Sequence, residues 1–193
     1  MGFFGSIGDN PSLGVQFKPF GRWEETIYTT KRLKANIKAA SLSAQMSVCR
    51  EIARRVKAHL RDQDLPWREL SRRYAKQKEK HGRDSRILIS HGIYYHAIEV
   101  FQKGNQKLAF VGVRRGIYGK TLKGKRGRTQ VADYAAIAEF SYNPKFRRPV
   151  WNPTIRDMGN SPGLKALYSK YFYNALKRRG VPIAKINSLM PKW

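Results

Sequence analysis

The sequence has little cysteine and few acidic residues, and each shortage excludes a class of protein. Its single cysteine, Cys49, rules out an internal disulfide framework and a zinc site built from several cysteines. The 13 Asp and Glu residues stand against 39 Lys and Arg residues, so the formal net charge is +26 in 193 residues. A folded domain with this excess attracts polyanions, and we therefore expect nucleic acid or another acidic surface as its partner.

Long apolar runs are also missing. No run approaches the roughly 18 residues that cross a bilayer, so we predict no membrane span. The first six residues match the short N-myristoylation pattern, but a flexible Gly-rich start explains them as well, and we expect no membrane partner. The 41% of hydrophobic residues suffices for a packed core, and the length favours one domain.

The sequence contains no convincing catalytic motif. The stretch GIYGKT at residues 116–121 looks like the end of a phosphate-binding loop, but two residues precede its Gly-Lys pair where that loop needs four. His96 and Glu99 would share a face only in a helix, and their segment has equal strand character. The scattered carboxylates offer no recognisable acid-base pair. We therefore predict no enzyme activity, no metal site, no cofactor and no small-molecule ligand.

Hydrophobic periodicity predicts an α+β fold. Residues 24–62 contain neither Gly nor Pro and place small or apolar residues in alternating steps of four and three, which is typical of a long amphipathic helix. This predicted seam consists of Ala35, Ala39, Leu42, Met46, Cys49, Ala53, Val56 and Leu60. Further helices are predicted at residues 67–80, 131–140 and 163–179 and a strand at 107–113, while residues 87–101 have strand character and residues 143–153 look extended.

These elements predict an antiparallel sheet with the long amphipathic helix packed across it and a C-terminal helix plus tail. Residues 1–23 mix Gly, Pro and aromatic residues without a period, and we interpret them as an extended N-terminal arm. A single α+β domain then covers residues 24–180, and residues 181–193 form a C-terminal tail. The apolar residues of the arm would cover either the core of their own domain or a neighbouring subunit.

The positive charge concentrates in a Gly-rich segment, residues 114–128, which is predicted to be a loop. No acidic residue occurs between Glu99 and Asp133. Lys and Arg without interleaved acids suit sequence-independent contact with phosphates, and about seven such contacts would give a salt slope of log K near −6. The candidate DNA contacts are Arg114, Arg115, Lys120, Lys123, Lys125, Arg126 and Arg128. A solvated loop, or one ordered by acids of a neighbouring subunit, is the alternative.

Two sequence blocks carry a resemblance to a known family. The first runs from Pro66-Trp67-Arg68-Glu69-Leu70 to Ile87-Leu88-Ile89-Ser90-His91-Gly92. The second joins Tyr134-Ala135 and Glu139-Phe140 to Lys145-Phe146-Arg147-Arg148-Pro149-Val150-Trp151. Their order resembles that of the tailed-bacteriophage virion-morphogenesis family of neck and tail-completion proteins. Ser90-His91-Gly92 departs from the usual Thr-Gly of the family, and Ser141 stands where Gly often follows the Glu-Phe pair.

The resemblance implies a small structural α+β subunit that forms a homo-oligomeric ring in the virion neck and is assembled in the host cytoplasm. Its implied partners are portal or connector proteins, tail-tube or tail-terminator proteins and genomic DNA. The alternative is a basic nucleic-acid-binding protein of another kind, associated with the ribosome or nucleoid. The motif positions, to which the resemblance gives structural roles, are Trp67, Leu70, Tyr74, Gly82, Leu88, Gly92, Tyr134, Glu139, Phe140, Arg148 and Pro149.

Overall fold

A computed structural model of the chain describes residues 23–89, 91–102, 108–120, 125–160 and 163–181. Residues 1–22 of the predicted arm, residues 103–107 and residues 182–193 of the tail lie outside this range. The chain separates into two compact units, Met1–Ala35 and Asn36–Trp193. The first unit contributes the exposed N-terminal part of a long helix, and the candidate site belongs entirely to the second.

The described elements confirm an α+β fold. In chain order they are α1 (Trp23–Asp62), α2 (Arg72–Lys80), α3 (Ile93–Ala97), β1 (Ile98–Gln102), β2 (Ala109–Val113), β3 (Tyr118–Lys120), β4 (Arg126–Gln130), α4 (Val131–Phe140), α5 (Trp151–Asn160) and α6 (Gly163–Arg178). The described strands form two separate two-stranded antiparallel sheets, β1 with β2 and β3 with β4. In the first sheet Ile98 lies opposite Val113 and Gln102 lies opposite Ala109.

Helix α1 packs on the β1–β2 sheet, as predicted. Ile52, Val56 and Leu60 share one buried cluster with Ile98, and the Gln45 side chain accepts the Ala109 amide at 3.1 Å. Burial also raises the pKa of the Cys49 thiol. The helix therefore covers one face of the sheet with its C-terminal half.

The predicted buried seam of α1 is confirmed for its last four residues and wrong for its first four. Cys49, Ala53, Val56 and Leu60 are buried, whereas Ala35 and Ala39 are exposed and Leu42 and Met46 are half-buried. The buried positions in the first half are instead Ala40 and Ala44. With the half-buried Val48 and the buried residues 52, 56 and 60 they follow steps of four. Because four residues exceed one 3.6-residue turn, this stripe slants around the helix.

The second helix is shorter than predicted. It begins at Arg72 rather than at residue 67, because the Ser71 hydroxyl accepts the Tyr74 amide at 3.3 Å and caps the helix there. Gly82 ends it with a φ of +60°, as the Gly82 amide bonds to the Glu79 carbonyl and the Arg83 amide to the Lys78 carbonyl. Trp67 and Leu70 therefore belong to an irregular segment, and only Tyr74 of the predicted face is helical.

Residues 87–101 do not form one strand. Leu88 and Gly92 both have positive φ, +62° and +69°, and these turns interrupt the extended backbone before α3 and β1. The strained Leu88 is held in place by its neighbours, since the Gln63 side chain bonds both the N–H and the C=O of Ile87, at 2.8 and 3.2 Å.

The stretch at residues 143–153, predicted to be extended, instead begins with a turn in which the amides of Phe146 and Arg147 bond to the Asn143 carbonyl at 3.0 and 3.1 Å, and it ends in α5. Pro153 lies in the first turn of α5, where its missing N–H breaks no helical hydrogen bond. The predicted helix at 131–140 is confirmed, and the closing helix ends at Arg178, one residue before its predicted end. No helix among the described residues is long and apolar enough to span a bilayer.

Candidate nucleic-acid interface

In the described part of the basic segment, residues 114–120 and 125–128, two strands take the place of much of the predicted loop, and we call this strand pair the hairpin. Strands β3 and β4 pair antiparallel with an irregular register, and the Gly116 amide bonds to the Gln130 side chain at 3.1 Å. Gly127 lies so close to Gly119 that an added Cβ would stand 3.0 Å from the Gly119 carbonyl oxygen. Two facing glycines therefore allow strands that propensity alone does not predict.

The structure presents part of the predicted DNA contacts to solvent. Arg114, Arg115, Lys120 and Lys125 are exposed, and Arg114 lies 3.8 Å from the Glu99 carboxylate. Arg126 and Arg128 belong to β4, but their side chains lie outside the described residues, as does Lys123 as a whole. The described part of the hairpin thus carries an exposed positive surface.

One side of this hairpin forms a wall of a cleft of about 1410 Å³. The other walls come from residues 68–71, α2, residues 87–94, α4 and residues 145–148. Among the motif positions of the sequence analysis, Leu70, Tyr74, Leu88, Tyr134 and Arg148 all line the cleft. The two sequence blocks therefore meet the basic segment at one place on the fold.

Cations dominate the charged lining of the cleft. They are Arg68, Lys78, Lys120, Lys145 and Arg148, against a single carboxylate, Glu69. Among the described residues none of these cations lies within ion-pair distance of a carboxylate. The cleft therefore favours an anionic occupant.

Lys78 is the most deeply placed of these cations, with 2% of its surface exposed. Its ammonium donates to the carbonyl oxygens of Arg86 at 2.7 Å and Ile89 at 3.2 Å. Burial lowers the pKa of Lys78, and the carboxylate of Asp84 opposes this effect. Lys78 thus fixes the 86–89 segment while it adds positive charge to the cleft.

Aromatic rings also line the cleft and remain accessible. Tyr74 is 41% exposed, Tyr134 45% and Phe146 57%. Tyr134 also packs edge-on against the buried Tyr94, with ring centroids 6.4 Å apart. Partial burial raises the pKa of Tyr134, the Tyr74 hydroxyl raises it further and Arg148 lowers it, so these three side chains lie within electrostatic range of one another.

Two buried polar atoms of the cleft lining have no hydrogen-bond partner. They are Nε2 of His91 and Nε of Arg148, and they are the only buried side-chain atoms of this kind among the described residues. Burial lowers the pKa of His91, and Arg83, Lys120 and Lys78 lower it further. Because buried polar groups are normally paired, the cleft is the least satisfied region of the described structure.

The motif residues next to the cleft hold the fold together. The Trp67 indole donates to the Pro149 carbonyl at 2.8 Å, and the Arg148 guanidinium donates to the carbonyls of Lys145 at 2.9 Å and Arg68 at 3.3 Å. Residues 148–150 are a coil that leads into α5. These bonds connect two parts of the sequence that lie about eighty residues apart.

Glu139 caps the next helix. Its buried carboxylate accepts the amides of Val150 at 2.8 Å, Trp151 at 3.0 Å and Asn152 at 2.7 Å, which are the first amides of α5. A carboxylate at a helix N-terminus also interacts favourably with the helix dipole. These contacts give Glu139 a structural role. By contrast, its neighbour Phe140 is 69% exposed and contributes little to the core.

Two further features bear on possible chemistry. No cluster of three or more potential metal ligands occurs in the part of the chain that the structure describes, and His96 and Glu99 fall in different elements, α3 and β1. Tyr118–Lys120 of the GIYGKT stretch forms strand β3, which differs from the loop-to-helix geometry of a phosphate-binding loop.

Sequence reasoning placed Lys78, His91, Lys145 and Phe146 in the two resembling blocks but assigned them no role in a binding site. Lys145-Phe146 carried a usable signal, because a cation next to an aromatic residue precedes two further arginines there. His91 and Lys78 carried none, since their place in the cleft depends on long-range contacts. No protein-family model matches the chain, and no curated protein or solved structure shows significant similarity to it.

Proposed function

We propose that this chain is a structural subunit of the neck of a tailed bacteriophage, a head-tail joining or tail-completion protein without enzyme activity. Copies of the chain would form a ring in the virion between portal or connector proteins and tail-tube or tail-terminator proteins. The basic hairpin would face the genomic DNA and contact it without reading its sequence.

The observation that carries this proposal is the meeting of the two resembling blocks in space. The contact of Trp67 with Pro149 and that of Arg148 with Arg68 join the blocks directly. Glu139 then connects the Glu-Phe pair of the second block to the segment after Pro149. The residues that carry the resemblance thus act as one structural unit, which supports a shared fold rather than two accidental matches.

Exposed apolar side chains support assembly. Ile137 is 49% exposed, Phe140 69% and Tyr142 fully exposed, and together they form a shallow surface that we call the α4 patch. A helix that is apolar on its outer side as well as its inner side usually packs against a second partner. The α4 patch therefore suits a contact between subunits.

The first experiment measures assembly. We expect size-exclusion chromatography with mass determination, and negative-stain microscopy, to show rings of the purified chain. The double variant F140S/Y142S should dissociate them because it removes two aromatic rings from the apolar contact. Ile155→Ser, which changes another exposed apolar residue at 42% exposure, is the matched control and should leave the rings intact.

The second experiment measures DNA binding. R115A/K125A removes two exposed charges of the hairpin and should weaken binding to duplex DNA and flatten the salt slope by up to about 2. K170A/K177A removes two exposed charges of α6 and should change both much less. Equal losses would leave only a general charge effect and contradict a DNA-facing hairpin.

The outcome also separates the alternative function. A chain that stays monomeric at all concentrations and forms a tight complex with RNA would favour a ribosome- or nucleoid-associated protein over a neck subunit. Rings that bind nothing at low salt would instead preserve the structural role and remove the contact with DNA.

A further inference from the structure

We propose that the cleft of about 1410 Å³ binds unpaired nucleotides, with bases stacked on its exposed aromatic rings and phosphates held by its cations. This inference rests on the proposed contact with DNA but concerns a second surface and a different form of nucleic acid. The exposed residues Arg115 and Lys125 lie outside the cleft lining, whereas Lys120 belongs to both surfaces.

The first argument is the combination of charge and aromatic surface. Proteins that bind single strands combine a positive groove with aromatic side chains on which bases stack. The cleft offers Lys120, Lys145 and Arg148 as cations, and Tyr74, Tyr134 and Phe146 as accessible rings. Paired bases in a duplex hide their faces, so these rings favour unpaired nucleotides.

The second argument is the unsatisfied wall. The Arg148 guanidinium is held by the carbonyl oxygens of Lys145 and Arg68, both of which also belong to the cleft lining. Its geometry is therefore fixed before any ligand arrives, and its Nε–H remains without an acceptor, as does Nε2 of His91 without a partner. Both nitrogens have almost no exposed surface, so a nucleotide would reach them only after a side-chain shift, whereas the fixed guanidinium already supplies positive charge to the cleft.

The third argument is size. Pockets for drug-sized molecules usually measure about 300–1,000 Å³, and this cleft exceeds that range. A single nucleotide fills only part of such a space, so we infer that several consecutive nucleotides of one strand occupy it. With three or four phosphate contacts the salt slope for a single strand would lie near −2 to −3.

The test compares a fluorescent ten-residue oligothymidylate with a duplex of the same charge by fluorescence anisotropy. Tyr74→Ala should weaken binding of the oligothymidylate by about tenfold, the loss of one stacked base, and change duplex binding less than twofold. Phe101→Ala is the matched control, because Phe101 is 42% exposed, as Tyr74 is 41% exposed, but lies on β1 outside the cleft lining. This control should leave both affinities unchanged.

A second variant guards against a folding defect. Phe146→Ala changes a coil residue with 57% exposure and should produce a similar selective loss, with an unchanged melting temperature. An abasic oligomer loses every stacked base and should therefore bind the wild-type chain more weakly than the oligothymidylate binds either single variant. Free thymidine monophosphate should compete only at much higher concentration than the oligomer if the cleft holds a strand.

Several results would overturn the inference. Unchanged oligothymidylate binding in both variants would do so, and so would equal losses for single strand and duplex. Competition by poly-aspartate as strong as that by the oligomer, lost in Tyr74→Ala, would identify an acidic protein segment as the occupant. Retained duplex binding and rings in the presence of any of these results would leave the proposed neck function intact.

Discussion

Two neighbouring regions of this fold differ in whether their polar groups have hydrogen-bond partners. At the α5 junction, formed by Trp67, Glu139 and residues 149–152, the Glu139 carboxylate and the Trp67 indole both have partners between 2.7 and 3.0 Å. Arg148, the residue before this junction, lines the cleft. There, among the described residues, two buried nitrogens have no hydrogen-bond partner, and the cations have no carboxylate within ion-pair distance. Paired polar groups stabilise a fold, whereas buried unpaired ones cost free energy, so the cleft is less optimised for stability than the α5 junction.

The largest loss of stability is expected when the Glu139 carboxylate is removed from the α5 junction. Glu139→Ala should leave the buried amide of Val150 and the partly buried amides of Trp151 and Asn152 without an acceptor, and should lower the free energy of unfolding by about 3 kcal/mol. The melting temperature would then fall by roughly 6–12 °C. Glu139→Gln keeps one carbonyl oxygen and should show an intermediate loss.

The control for this change is Glu79→Ala, which removes an exposed carboxylate on α2. It should shift the free energy of unfolding by less than about 0.5 kcal/mol in the same denaturant titration. Similar losses for both variants would show that Glu139 acts through net charge and not as a cap.

The next largest effect is expected in the hairpin wall of the cleft. Gly127→Ala would place its Cβ 3.0 Å from the Gly119 carbonyl oxygen, so the strands must separate. We expect a cost of about 1–3 kcal/mol together with weaker nucleic-acid binding. Gly112→Ala meets nothing within 4 Å and should be neutral, and a neutral Gly127→Ala would contradict the close approach of the two strands.

A smaller effect is expected at the other side of the junction. Trp67→Phe preserves most of the ring packing but removes the 2.8 Å hydrogen bond to the Pro149 carbonyl. The free energy of unfolding should fall by about 1 kcal/mol, as measured by urea titration. An unchanged free energy of unfolding would mean that this hydrogen bond contributes nothing and that Trp67 stabilises the fold through ring packing alone.

The smallest expected effect is a pH dependence of stability that arises from His91 in the cleft. The pKa of His91 is lower in the folded chain than its usual 6.5, so the unfolded chain binds more protons below that value. Stability should therefore fall as the pH drops through about 6.5. Lys120→Ala removes one of the cations that lower this pKa and should weaken the pH dependence while changing stability at pH 8 by less than about 0.5 kcal/mol.

Urea titrations at several pH values between 5 and 8 measure this dependence. Lys170→Ala, a change on α6, should leave it unaltered. A steeper dependence in Lys120→Ala would contradict the electrostatic role of Lys120 in the cleft.

The sequence predicted those elements whose residues interact locally. The bounds of α1, α4 and α6 followed from uninterrupted periodic segments, and Gly82 with its positive φ marked a helix end. The start of α2 was also accessible, because Ser71 is a favourable N-cap residue. Pro153 carried a comparable signal for the first turn of α5.

The remainder depends on distant contacts that no local pattern contains. Helix α5 begins where Glu139, eleven residues before Val150, supplies its cap, and the hairpin needs Gly119 and Gly127 to meet. The cleft likewise unites the hairpin with segments from both sequence blocks. Composition predicted its charge, but only the three-dimensional arrangement shows which cations surround the exposed rings.

The burial of Cys49 has a practical consequence for testing these proposals. The chain has no other thiol, and burial raises the pKa of this one, which keeps it in the less reactive protonated form. A cysteine introduced at an exposed position such as Lys125 would therefore react selectively with a maleimide dye without removal of the native residue. Energy transfer between such a dye and a labelled oligonucleotide would report where a bound strand lies.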